Sequence, residues 1–198
     1  MDAAKREAII AAAAQSFFSR GFAASSIEQI AADAGVSKVT IYNNFGDKRT
    51  LLAAAVEQEC SRMRGIFSFD GVTGDNIGQQ LAAIGQAMLE FLSRPEIIQF
   101  ERGLSAEIDQ HPGIGEEFLR SGPYRMKAAF AAFLEEAEKR GELVVANHWL
   151  AAEQFVSMCK GMGELERRFG VASDPQEDAQ RISGAVHVFL QVYGTQSG

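Results

Sequence analysis

Between Ser25 and Arg49 the sequence leaves room for little except two short helices hinged on a glycine. Ser25 and Glu28 stand at the spacing of a capping box, which starts a helix by satisfying its first N–H groups. Ile27, Ile30, Ala31 and Ala34 then recur at helical spacing and give that helix one apolar face. Gly35 falls where the chain must leave the helix with positive φ, a conformation that costs glycine least. Val36 plugs inward, and Ser37 caps the next helix. Ile41 and Phe45, four residues apart, supply the buried side of this second helix. Lys38, Val39, Thr40, Tyr42, Asn43 and Asn44 are left around the other side. Helix, glycine turn and capped helix together spell a helix-turn-helix.

The exposed side of the second helix has the chemistry of a reader of duplex DNA. A helix in the major groove needs short polar donors, a cation and an apolar contact for a thymine methyl. Asn43 suits a bidentate pair with adenine, Val39 a thymine methyl, and Lys38 guanine or phosphate. Thr40 and Tyr42 suit phosphate or sugar, which fixes register without reading sequence; packing between helices is the other use for Tyr42. Ser26 and Ser37 can offer hydroxyl or backbone N–H groups to the same strand. Lys48 adds its charge to the positive end of the following helix. One such helix reads only a few base pairs. Two of them related by a two-fold axis read an inverted repeat with half-sites roughly 34–36 Å apart.

A net charge of −7 argues against nucleic acid until it is divided along the chain. Residues 1–50 hold six Lys or Arg and five Asp or Glu, a net of +1, and the remainder carries −8. Exposed charges beyond about 8–10 Å are largely screened, so the local value is the one that meets DNA. A net of +1 is a faint basic footprint, and composition by itself does not point to DNA.

Past the reader nearly every segment reads as helix, and no stretch alternates like a strand. Asp47 caps a linking helix over 48–66, and Gly71 to Gly74 break the chain. Asp75 caps a helix to about Ser93, and Pro95 opens another to about Gln110. A short helix near 114–120 and a longer one near 124–140 follow, the latter ended by Gly141. Asn147 opens a helix to Phe169, and Asp174 with Pro175 opens the last, to Tyr193. The expected fold is all-α, with about nine or ten helices. Residues 1–47 form the three-helix DNA-binding domain, and 48–198 a domain for effector binding and dimerisation. The last two helices are apolar on more than one side, so a second copy is expected to cover the surplus. Ala151, Phe155, Met162, Ile182, Val186, Phe189 and Tyr193 are the candidate interface residues.

Residues from Arg6 to Leu52 resemble the DNA-binding domain of TetR-type bacterial transcription regulators. The matching positions are Ile9, Ala12, Phe17, Gly21, Phe22, Ser25, Ser26, Ile30 and Ala31, then Ala34 to Lys38, Thr40 to Tyr42, Phe45, Lys48, Leu51 and Leu52. Val39 departs from the glycine frequent there, and Asn43 and Asn44 from an aromatic or histidine; both bear on which operator is read. Glu107 to Pro112, Phe118, Gly122, Pro123, Gly141 and Ala151 to Phe155 resemble the ligand-binding domain of the AefR-like branch. The resemblance implies a homodimer joined through a four-helix bundle and a repressor released from its operator by a small molecule. Activation, or regulation without a ligand, would use the same DNA contacts.

An apolar or aromatic effector is the expected tenant of the C-terminal domain. Its pocket candidates are Met88, Phe91, Phe100, Glu101, Phe130, Trp149, Phe155, Met158 and Met162, although the default role of such side chains is core. No phosphate loop, nucleophile–base signature or metal-ligand spacing is present, so neither enzyme nor cofactor is expected. Cys60 and Cys159 read as idle thiols. Without a signal-peptide pattern or an apolar run of roughly 18–20 residues, the chain reads as cytoplasmic.

Overall fold

The computed structural model describes residues 2–64 and 76–195. Over these the chain forms ten α-helices: α1 (Ala3–Arg20), α2 (Ile27–Asp33), α3 (Lys38–Phe45), α4 (Lys48–Arg64), α5 (Ile77–Leu92), α6 (Pro95–Glu107), α7 (Ile114–Ser121), α8 (Pro123–Lys139), α9 (His148–Arg168) and α10 (Pro175–Tyr193). The sole β feature among them is an isolated bridge between Leu143 and Gly194. None of these helices is long and apolar enough to cross a membrane. The all-α expectation holds. Gly71 to Asp75 and the expected end of the linking helix at Ile66 lie outside the described residues.

Contacts divide the chain into two units, and not at residue 47. One unit is Met1–Arg62 with Pro95–Tyr124, and the other is Met63–Arg94 with Arg125–Gly198. The reason is aromatic. Phe100 on α6 sets its ring edge-on to Phe18 of α1 at 4.6 Å and also meets Phe118 of α7 at 5.7 Å. Periodicity within one helix carries no information about such a partner eighty residues away.

In the first unit, Ile9, Ala13, Phe17, Ile30, Ile41, Leu51 and Leu52 are buried to within 1% of full. These are the positions that face inward when α1 to α4 each turn their 3.6-residue stripe to a shared core. Gly122 at the end of α7 has a packing reason. A Cβ there would lie 2.9 Å from Val56 and 3.0 Å from the Cys60 sulfur, so any larger residue needs the neighbours to move.

The second unit packs α10 on α9 and α5 around a core of Leu81, Ile84, Phe130, Phe133, Leu134, Phe155, Cys159 and Phe189. Caps set the helix starts. Asn76 accepts from Gln79 N at 3.0 Å, Asn147 from Leu150 N at 3.0 Å and Asp174 from Gln176 N at 2.8 Å. Asn76 is therefore the cap of α5, and the expected cap, Asp75, lies outside the described residues. Inside α9 the backbone breaks at Gly161, with φ 45° and ψ −146°. Arg181 of α10 packs there, against Gly163, where a Cβ would lie 2.5 Å from its guanidinium. Asp178 joins Arg181 at 2.6 Å to the buried Arg167 at 3.1 Å. Burial pushes the Cys159 thiol up to about 12, which leaves almost no thiolate at neutral pH.

Four expected interface residues belong to this core instead. Ala151, Phe155, Ile182 and Phe189 are 0–5% exposed within the single chain. Each helix has two apolar faces, and these residues lie on the one turned to the unit's own core. Val186 and Tyr193 are half-buried against the same core, while Met162 is exposed. The apolar side chains left open are Met162 and Leu165 on α9, Phe169 at its C-terminal cap, and Val188 and Val192 on α10.

Candidate nucleic-acid interface

The hinge between α2 and α3 is closed by its own backbone. Val36 N donates to Ala31 O at 2.9 Å and Gly35 N to Ala32 O at 3.1 Å, the paired bonds that end a helix through a left-handed residue. Gly35 supplies that residue, with φ 66°. The cap of α2 is Ser26, one residue later than the spacing suggests; its hydroxyl accepts from Gln29 N at 3.1 Å. Ser25 is buried. Its hydroxyl donates to Gly21 O at 2.7 Å and takes a bond from the Ser16 hydroxyl at 2.9 Å. Both serines satisfy the sequence rule for a cap, and the demand for a buried hydroxyl under α1 decides between them.

Ser37 caps α3, accepting from Thr40 N at 3.1 Å, and its hydroxyl lies 2.9 Å from that of Thr40. Ile41 and Phe45 are buried, so the helix presents the opposite face. That face is Val39, 65% exposed, with Tyr42 at 42% and the exposed Asn43. Among the described residues the Asn43 amide has no hydrogen-bond partner, whereas Asn44 spends its amide on Thr40 O at 2.6 Å. One amide is thus free to read an edge and the other is used along the helix.

Two cations sit differently from expectation. Lys38 pairs with Glu28 of α2 while its amine lies 5.7 Å from the centre of the Tyr42 ring. Glu28 follows the Ser26 cap too closely to close a capping box, so its carboxylate is available to Lys38. The amine of Lys48, expected to extend toward phosphate, is turned back onto its own unit. It donates to Ala23 O at 3.3 Å and lies 4.4 Å over the Phe22 ring. Burial lowers the pKa of Lys48, against the pull of Glu107. The same Glu107 carboxylate accepts from Ala23 N with both oxygens, at 3.0 and 3.1 Å, and so anchors the α1–α2 turn to α6. Neither use of Glu107 or Phe22 is visible in a local sequence pattern.

The expected effector residues are dispersed. Phe100 and Glu101 lie on α6 of the first unit. Trp149 and Met162 are exposed at 45% and 62%, the indole holding the Lys127 amine 4.4 Å from its centre. Met88, Phe130 and Phe155 are in the core of the second unit, with Phe91 and Met158 packed against it.

Residues 9–55 match the family described as bacterial regulatory proteins, tetR family, and residues 79–195 match the AefR-like transcriptional repressor C-terminal domain. An uncharacterized HTH-type transcriptional regulator of Bacillus subtilis (strain 168), YvkB, is 28% identical over 186 residues, covering 91% of this chain and 93% of the relative. The crystal structure of a TetR-family transcriptional regulator from Mesorhizobium loti MAFF303099 is similar with a TM-score of 0.80 at 28% identity, covering 96% of this chain and 97% of that one. The flavonoid-responsive regulator FrrA is similar with a TM-score of 0.77 at 28% identity, over 98% of both chains.

Proposed function

Because this chain belongs to the TetR family of DNA-binding transcriptional regulators, with an AefR-like C-terminal domain, we propose that it is a homodimeric repressor that leaves an inverted-repeat operator when a small apolar or aromatic molecule binds. The observation that carries the DNA contact is the capped α3, held by its buried Ile41 and Phe45, with Val39 and the unengaged Asn43 on the open face. Tyr42 on that face, with Ser26, Ser37 and Thr40 beside it, meets phosphates or sugars. Lys48 must leave Ala23 O to join them. The exposed apolar faces of α9 and α10 support pairing through those helices, since patches of this kind on a soluble chain mark interaction sites.

An aromatic effector is supported by the methionine-rich and phenylalanine-rich margin of the second core, where Phe91, Met126 and Met158 are only partly buried. The name of FrrA, flavonoid-responsive, points to planar aromatic ligands for that relative. Release requires the ligand to prefer the form that does not fit DNA. A shift from 1:99 to 99:1 takes about 5.5 kcal/mol of preference.

Selection of duplexes with the purified protein, followed by a screen for molecules that release the selected site, tests this reading. No preference for any inverted repeat over random duplex would overturn it. Two substitutions separate the roles on the reading face. Asn43→Ala is expected to cost about 1–3 kcal/mol and to relax the sequence preference at one position of each half-site. Lys48→Ala is expected to weaken all duplexes alike and to reduce the salt slope by about one unit. A binding titration with the two patterns exchanged would reverse the division between reading and anchoring.

A further inference from the structure

The reading segment is acidic. From Ser25 to Asp47 the chain carries Glu28, Asp33 and Asp47 against the lone cation Lys38, a net charge of −2. Every carboxylate near a duplex meets an array of phosphates, so an acid on this surface is a cost that needs a return. Glu28 is the one engaged with the reading helix. It reaches from the first turn of α2 to the amine of Lys38 in the first turn of α3. The pair is on the surface, with side chains 63% and 46% exposed, and a pair of that kind adds little to folding. Its hydrogen bond holds the Glu28 carboxyl below the usual range and the Lys38 amine above it, so both stay charged across the physiological range.

We infer that Glu28 is a specificity-determining residue, which masks Lys38 from the phosphate backbone and lets it act on a G·C pair. The inference rests on the reading of α3 as the helix that enters the major groove. A phosphate oxygen competes with Glu28 for the amine, and the carboxylate repels it. A guanine edge carries acceptors without a full charge, so Lys38, with three donors, can bond O6 or N7 while keeping Glu28. The carboxylate can in turn accept from the amino group of a cytosine. The pair therefore offers one donor and one acceptor to base edges and almost no net charge to the backbone. Sequence-independent attraction falls while base readout is kept.

The test uses the full-length protein and its Glu28→Gln variant, titrated against the selected operator and against random duplex over a range of salt. Unmasking Lys38 gives it one more phosphate, which near 0.1 M salt amounts to roughly five- to tenfold tighter binding of random duplex and a salt slope steeper by about one unit. The operator should gain less, so the ratio of operator to random affinity drops, and the G·C preference at one position per half-site relaxes. Adding Lys38→Met to Glu28→Gln should remove the gain on random duplex. Glu28→Ala, which also removes the carboxylate, should reproduce the effect if the glutamine variant is misfolded by circular dichroism. Unchanged or weaker binding of random duplex by folded Glu28 variants would overturn the inference and leave the DNA-reading proposal standing. If the unaltered protein itself prefers no duplex, both fall.

Discussion

Replacing Leu165 by Glu is expected to convert dimers to monomers and to lower affinity for an inverted repeat by about a hundredfold or more. Leu165 lies on the open face of α9 between Met162 and Phe169, and is already 46% exposed in the single chain. A carboxylate at that position remains hydrated in the monomer, so the unit keeps its fold. In a dimer joined through α9 and α10 the same carboxylate loses water and has no planned partner, at a cost of about 2–5 kcal/mol. A two-fold axis repeats the substitution, which raises the dimer dissociation constant by about a thousandfold or more. The loss on DNA follows from geometry. Once one reading helix is bound, its partner is held near the second half-site at an effective concentration of order millimolar, and a monomer forfeits that advantage. Sedimentation at micromolar protein, beside titrations on whole and half operators, checks both effects. A Leu165→Glu protein that stays dimeric would move the interface off these helices. Monomers that bind the whole operator as tightly as before would end the two-fold reading of DNA.

The residues of that face show where sequence reasoning reaches its limit. Helix periodicity located α9 and α10, and the caps at Asn147 and Asp174 fixed their starts, because both signals are local. It cannot separate Phe155 from Met162, which stand seven residues apart on one ideal stripe, yet with the break at Gly161 between them the first is buried and the second 62% exposed. The break at Gly161 was equally hidden. A glycine in a helix reads as room for a close neighbour, and only the Arg181 side chain packed beside Gly163 gives the kink a context. The helix-turn-helix was legible almost to the residue, since caps, glycine and apolar spacing all act within twenty-five positions. What escaped there was set by distance along the chain. Glu107 reaches Ala23 across 84 residues and shares the surroundings of Lys48, and Glu28 finds Lys38 only once the turn is folded. The one-residue error at Ser25 has the same origin, a hydrogen bond to Ser16 on another helix.

Truncation of Phe155 is expected to cost about 3–5 kcal/mol, because the ring is the middle of a stack that ties three helices together. It is wholly buried, with its centroid 5.4 Å from both Phe130 of α8 and Phe189 of α10. The stack continues from Phe130 to Phe133 at 6.0 Å and from Phe189 to Tyr193 at 4.7 Å. The Tyr193 hydroxyl returns to α9 by donating to Gln154 at 2.6 Å. Phe155→Ala thus removes two aromatic contacts, each worth about 0.5–1.5 kcal/mol beyond buried area, and leaves a void between helices whose neighbours are themselves fixed. For a chain of this size each kcal/mol lowers the melting temperature by roughly 2–4 °C, so thermal unfolding should shift by about 10 °C. Trp149→Ala, at a half-exposed surface ring, should cost less than about 1 kcal/mol. The comparison also bears on the effector. A residue that lines a ready cavity has few atoms against one side, so its truncation costs little without ligand and shows up as a weakened response to it. If Phe155→Ala melts close to the unaltered protein and fails to release DNA on addition of the effector, Phe155 lines the pocket. A large loss of stability makes it core, and leaves the partly buried rim of Phe91, Met126 and Met158 as the place where an aromatic molecule enters.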